Sequence, residues 1–228
     1  MELCSERLIA DLCSPNETTR RCAAEDLGEC GDQSAVESLV HVLADPSPAV
    51  CEAALDALER IGGEAVVQAA LLALHSEHVP LRNAASLLLG ELGEAAVGPL
   101  TELLDDQNKD VRLFAIDTLA RIGSRSAETA LVRALEDAEV NVAAAAAGAL
   151  GQIGGTSSVE PLIAALKADS WVRCAAAKSL GRIGGLQALR TLTGLACDED
   201  PLVSFAAAQA LIETGERRSA PLATQERK

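Results

Sequence analysis

Apolar and polar positions along this chain repeat one phrase in seven copies, each ending at a glycine: Gly31, Gly62, Gly93, Gly123, Gly154, Gly184 and Gly215. Twelve residues upstream stand Thr19, Val50, Leu81, Val111, Val142, Val172 and Val203. Four residues later every copy has alanine, at 23, 54, 85, 115, 146, 176 and 207, and four later again every copy has leucine, at 27, 58, 89, 119, 150, 180 and 211. Three more residues reach Cys30, Ile61, Leu92, Ile122, Ile153, Ile183 and Thr214. Apolar positions at this spacing form one stripe of an α-helix. Three residues before each stripe lie Asn16, Ser47, His78, Asn108, Glu139, Asp169 and Asp200, mostly side chains whose oxygens cap free backbone N–H groups. Pro48 and Pro201 follow at the first helical position, where a missing N–H costs nothing. The glycine suits the left-handed residue that closes a helix.

A second apolar segment follows each glycine, as in AVESLVHVL from Ala35, AVGPLTELL from Ala96 and SVEPLIAALK from Ser158. Pro99 and Pro161 are expected in the first turn of these second helices. The unit is therefore a helical hairpin that cannot bury its apolar faces alone, so neighbours must stack. Residues 5–13 match a lone second helix at the front, because Leu8, Ile9 and Leu12 align with Leu39, Val40 and Leu43. Residues 201–214 make a lone first helix at the back. The expectation is an all-α solenoid over 1–215, with about six full repeats plus a half repeat at each end. Residues 216–228, ERRSAPLATQERK, lack periodicity and read as a disordered polar tail.

Composition fits thin, closely packed helices: 49% of residues are hydrophobic, yet Phe114, Phe205 and Trp171 are the only aromatics. Charge is unevenly placed. Residues 1–106 hold 20 Asp/Glu against 5 Lys/Arg, whereas residues 107–228 hold 14 of each. The acidic half repels phosphate backbones, which argues against nucleic acid, and favours a protein partner with a basic surface. The same acids also serve to keep an alanine-rich stack soluble. No run approaches the ~18 apolar residues of a membrane span. Seven cysteines, with no CxxC pair, suit a reduced, cytoplasmic protein.

VRCAAAKSLGRIGG (172–185), VAAAAAGALGQIGG (142–155) and LRNAASLLLGELG (81–93) resemble HEAT-like repeats, more narrowly the glycine-ended type named after phycobilisome lyases. That resemblance implies a right-handed α-solenoid of HEAT-like hairpins, with first helices on the convex side and second helices on a concave, partner-binding side. It also implies an arginine ladder tying neighbouring repeats. Here that column reads Arg20, Cys51, Arg82, Arg112, Ala143, Arg173 and Ser204, broken at three places. Related proteins include bilin lyase subunits and adaptors. The His-Glu motifs of iron-binding relatives have no counterpart here.

Candidate chemistry is sparse. Cys4, Cys13, Cys22 and Cys30 crowd the acidic half; Cys22 and Cys30, lying in apolar columns, read as small buried hydrophobes, with a metal or iron–sulfur centre as the alternative. Cys13, Cys51 and Cys197 are the expected exposed thiols. His75, Glu77 and His78 could form a two-histidine, one-carboxylate site, or simply a helix end and a cap. No nucleophile motif or phosphate loop is present, so no catalytic residue, metal ligand or cofactor is assigned. The leading functional expectation is a non-catalytic scaffold. Its contact surface would be the polar positions of the second helices: Glu37, His41, Gln68, Thr101, Glu102, Arg133, Lys167 and Arg190. The alternatives are a bilin lyase or chaperone-like subunit, and a metal-handling protein.

Overall fold

The computed structural model describes residues 2–219, and every regular element among them is helical. The leading helices, those that carry the stripe, are α2 (Glu17–Cys30), α4 (Pro48–Ile61), α6 (Val79–Leu92), α8 (Lys109–Ile122), α10 (Val140–Ile153), α12 (Ser170–Ile183) and α14 (Pro201–Ser219). The trailing helices are α1 (Glu2–Asp11), α3 (Val36–Val42), α5 (Gly63–Ala73), α7 (Glu94–Glu102), α9 (Glu128–Ala134), α11 (Val159–Ala165) and α13 (Leu186–Leu195). They alternate as helical hairpins, which makes the fold an α-solenoid. By its contacts the chain divides into two compact units, Met1–Leu103 and Leu104–Lys228.

The stripe forms the core of both units. Its alanines are buried in all seven copies, and the leucines through Leu180 have no solvent exposure. The last stripe position behaves differently: only Ile153 and Thr214 are buried there, while Cys30 is exposed. The reading of Cys30 as a buried hydrophobe is therefore corrected.

Capping follows the expected positions with instructive departures. Asn16, Asn108 and Asp169 accept hydrogen bonds from Thr19, Asp110 and Trp171 N–H groups respectively. Ser47 sits at its cap position but donates its hydroxyl to Glu17 of the preceding leading helix, at 2.8 Å. Among the terminating glycines, Gly31 and Gly123 are left-handed, at φ 64 and 73. Gly154 is not, at φ −67; glycine is needed there because a side chain would run into the Leu150 carbonyl and Ser158. Gly215 closes nothing, because α14 continues to Ser219, four residues into the segment read as a tail; residues 220–228 lie outside the described residues. Pro99 also departs from expectation. Helix α7 begins at Glu94, so Pro99 lies inside it rather than in its first turn.

Packing between leading helices is set by a pair of small-residue columns. A Cβ added at Gly28 would lie 2.7 Å from the Ala57 Cα; at Gly151, 2.8 Å from the Ser179 Cα; at Gly181, 2.6 Å from the Ala210 Cβ. These glycines let α2 approach α4, α10 approach α12, and α12 approach α14 at backbone distance. Where the two columns carry Glu59 and Leu88, α4 and α6 approach much less closely. Trailing helices α3, α5, α11 and α13 touch their counterparts sparingly. At α2–α4, and from α8 through α14, the leading helices are thus the more closely packed layer.

Candidate functional site

The arginine ladder is real where both partners exist. Arg20 donates twice to Asp45, at 2.7 and 2.8 Å, and once to the Ser14 carbonyl at 2.9 Å. Arg112 repeats the arrangement with Asp137, at 2.7 and 2.9 Å, and with the Asp106 carbonyl at 2.7 Å. Arg173 pairs with Asp198. Each aspartate also accepts from a backbone N–H two residues on, at Ser47, Glu139 and Asp200, and so starts the next leading helix. The Arg20 hydrogen bond holds the Asp45 carboxyl below its usual range. Burial pushes Asp137 upward, but the Arg112 hydrogen bond, the Glu139 N–H and the Arg112 charge together bring it below. Where the arginine is missing, as at Cys51 and Ala143, the residue two before the next helix's cap is also not acidic: Ser76 and Lys167. The clamp is kept or dropped as a pair, which marks it as structural.

The eight polar residues expected to bind a partner all belong to the trailing layer or its turns. Seven are exposed and Thr101 is half-buried, its hydroxyl donating to the Gly98 carbonyl at 2.6 Å. Arg133 lies 3.7 Å from Asp105. Nothing draws the eight together into a site. Neither do the cysteines converge: Cys13, Cys30 and Cys197 are exposed, Cys22, Cys51 and Cys174 are half-buried, and the Cys4 side chain lies outside the described ones. Cys51, expected among the exposed thiols, is half-buried, its thiol donating to the Asp45 carbonyl at 3.2 Å. Burial and the Asp45 charge raise its pKa. His75 turns back to its own helix, its Nδ1 3.3 Å from the Leu71 carbonyl, and His78 caps α6 without a side-chain bond. Among the described residues no three His, Cys, Asp or Glu side chains could share a metal ion. No helix of the described residues is long and apolar enough to cross a membrane.

The surface with the clearest chemistry lies instead on the leading layer. In the second unit a groove of about 400 Å³ runs over α10, α12 and α14. Trp171 and Phe205, two of the three aromatic residues in the chain, line it at 69% exposure each, beside Leu202 at 59%. Ala144 and Gly148 of α10 form its small-residue floor, and Lys178 and Arg182 of α12 line its far end. The same layer of the first unit is different in kind. There a groove of about 590 Å³ between α2 and α4 is lined by Glu25, Glu29, Glu52 and Asp56, with Arg21 and Arg60 as the basic members. Arg21 is paired to Glu25. Burial, with the charges of Glu91 and Asp56, raises the pKa of nearby Glu59. Sequence reasoning missed both grooves because the stripe shows which residues face the core, not which outer face is closely spaced. The signal available was the column holding Gly28, Gly151 and Gly181, opposite one holding Ala57, Ser179 and Ala210.

A family model for HEAT repeats matches residues 5–95, 97–171 and 159–225. Among solved structures, the Escherichia coli protein YibA shares the fold with a TM-score of 0.52, at 20% identity over 83% of this chain and 76% of that one. Human deoxyhypusine hydroxylase gives 0.48 at 23% identity, covering 93% and 84%. The CpcE–CpcF complex of phycocyanin lyase from a Nostoc species gives 0.36 at 23% identity, covering 92% and 94%. The last two likenesses are too loose to carry an argument. No curated protein matches the sequence with significance.

Proposed function

Because the chain belongs to the HEAT-repeat family, we propose that it is a scaffold that grips a protein partner on its leading-helix layer and performs no chemistry of its own. The observation that supports this most is the exposure of Trp171 and Phe205 in one groove of a chain with only three aromatics. Burying a large apolar side chain contributes about 1.5–3 kcal/mol, so leaving two exposed side by side forgoes stabilisation that a partner would recover. Scattered exposed residues such as Leu72 on α5 need no such explanation.

The acidic α2–α4 groove completes the reading, since it would attract a basic region of the same or another partner. The trailing-layer residues Glu37, His41, Gln68, Thr101, Glu102, Arg133, Lys167 and Arg190 are proposed as a secondary contact surface. The cytosol is the proposed setting, in keeping with six free thiols among the described side chains. The test is quantitative affinity capture from native extract with wild-type chain and with Trp171→Ala/Phe205→Ala. A stoichiometric protein retained by the first and lost by the second is expected. Equal retention by both would refute the assignment of this groove.

A further inference from the structure

Resting on the scaffold reading, we propose that the α10–α12–α14 groove accepts an acidic peptide segment whose apolar anchors sit at one end and whose carboxylates sit at the other. The groove is polarised along the helix axis. Trp171 and Leu202 lie near the N-termini of α12 and α14, whereas Lys178 and Arg182 lie seven and eleven residues beyond Trp171 on α12. At 1.5 Å per residue these charges stand roughly 10 and 16 Å from the indole. A segment that buries apolar side chains on Trp171, Leu202 and Phe205 therefore meets two cations at a fixed further distance. Carboxylates at that spacing would be paired; lysines there would be repelled.

Charge complementarity selects this occupant over a basic one. The α2–α4 groove of the other unit presents Glu25, Glu29, Glu52 and Asp56 on its leading layer, so an acidic segment is turned away there and a basic one is drawn there. The two grooves thus sort segments by sign.

The groove floor supplies an independent sign of a close-lying occupant. Gly148 is in the middle of α10, where glycine weakens a helix relative to alanine. The packing glycines one turn along that helix and on the next, Gly151 and Gly181, have neighbours that would clash with any Cβ. At Gly148 a Cβ would meet nothing within 4 Å. The folded chain has room for a side chain there; the space belongs to the groove.

The experiment pans a random 16-residue peptide library on the full chain and measures synthetic copies of the enriched peptides by fluorescence anisotropy. The expected peptides carry an apolar pair and Asp or Glu spaced to span 10–16 Å, which is about three to five residues if extended or seven to eleven if helical. Binding should weaken at least tenfold in Trp171→Ala/Phe205→Ala and in Lys178→Glu/Arg182→Glu, and should fall with added salt. Gly148→Ala should raise the urea midpoint yet weaken binding, whereas Gly194→Ala, also open in space but on α13, should raise the midpoint and leave binding unchanged. Circular dichroism confirms that each variant is folded. Enriched peptides that need Trp171 but are basic or uncharged would overturn this inference and leave the scaffold reading standing. So would peptides indifferent to Lys178→Glu/Arg182→Glu, or a library with no groove-dependent binder when the captured cellular protein still depends on Trp171 and Phe205. Loss of both dependences would overturn the inference and the scaffold reading together.

Discussion

Two glycines three residues apart on α10 are expected to respond to the same substitution with opposite signs. In Gly151→Ala the new Cβ would stand 2.8 Å from the Ser179 Cα and 2.6 Å from its Cβ, against a comfortable carbon–carbon distance of about 3.5–4.0 Å. The nearest atoms include backbone, so α10 and α12 must part by about 1 Å. Overpacking of this kind costs about 1–3 kcal/mol. Parting the helices also strains the buried bond from the Ser179 hydroxyl to the Ala147 carbonyl, now 2.7 Å, for about 1 kcal/mol more. Replacing glycine by alanine in a helix returns about 1 kcal/mol. Gly151→Ala should therefore lose about 1–3 kcal/mol. Gly148→Ala faces open space and should keep the whole propensity gain of about 1 kcal/mol. The two variants should differ by about 1–2 M in urea midpoint, followed by far-ultraviolet circular dichroism on the full chain. A Gly151→Ala chain as stable as wild type would refute the account of backbone-distance packing between leading helices.

Further expectations follow from the same geometry. Gly154→Ala should destabilise more than Gly123→Ala although Gly154 has an ordinary φ, because its Cβ would strike the Leu150 carbonyl and Ser158, whereas Gly123 carries only left-handed strain of about 1 kcal/mol; thermal melts compare them. The Arg112–Asp137 clamp lowers the folded-state pKa of Asp137, so its contribution is complete above the ordinary carboxylate pKa of about 4 and is lost as pH falls through the depressed value. Arg112→Leu should accordingly begin to unfold at a higher pH than wild type in an acid titration. Native thiol labelling mapped by mass spectrometry should modify Cys13, Cys30 and Cys197 ahead of Cys51, whose thiol is half-buried and whose pKa is raised.

Most of the architecture was legible because a helical stripe and its caps are local matters. Ala54, Leu58 and Gly62 report one helix and its end without knowledge of any neighbour, and the structure keeps them as core and stop. Failures arose where a position depends on what lies opposite. Cys30 shares a column with buried Ile153, yet at the end of α2 that position faces solvent. Gly215 shares a column with helix-ending glycines, yet α14 runs on through it to Ser219. An amphipathic pattern distinguishes inside from outside, not one outside from the other, so the two grooves of the leading layer left no signal in it. Trp171 precedes the stripe by one residue and gave no periodic signal of its exposure.

The most direct test of the central claim is site-specific photocrosslinking in cells, with a photoreactive phenylalanine placed at Phe205 in one chain and at Gln68 in another. The account expects a discrete protein crosslinked in stoichiometric yield from Phe205, and little from Gln68. Strong crosslinking from Gln68 with none from Phe205 would contradict it and return the contact surface to the trailing helices.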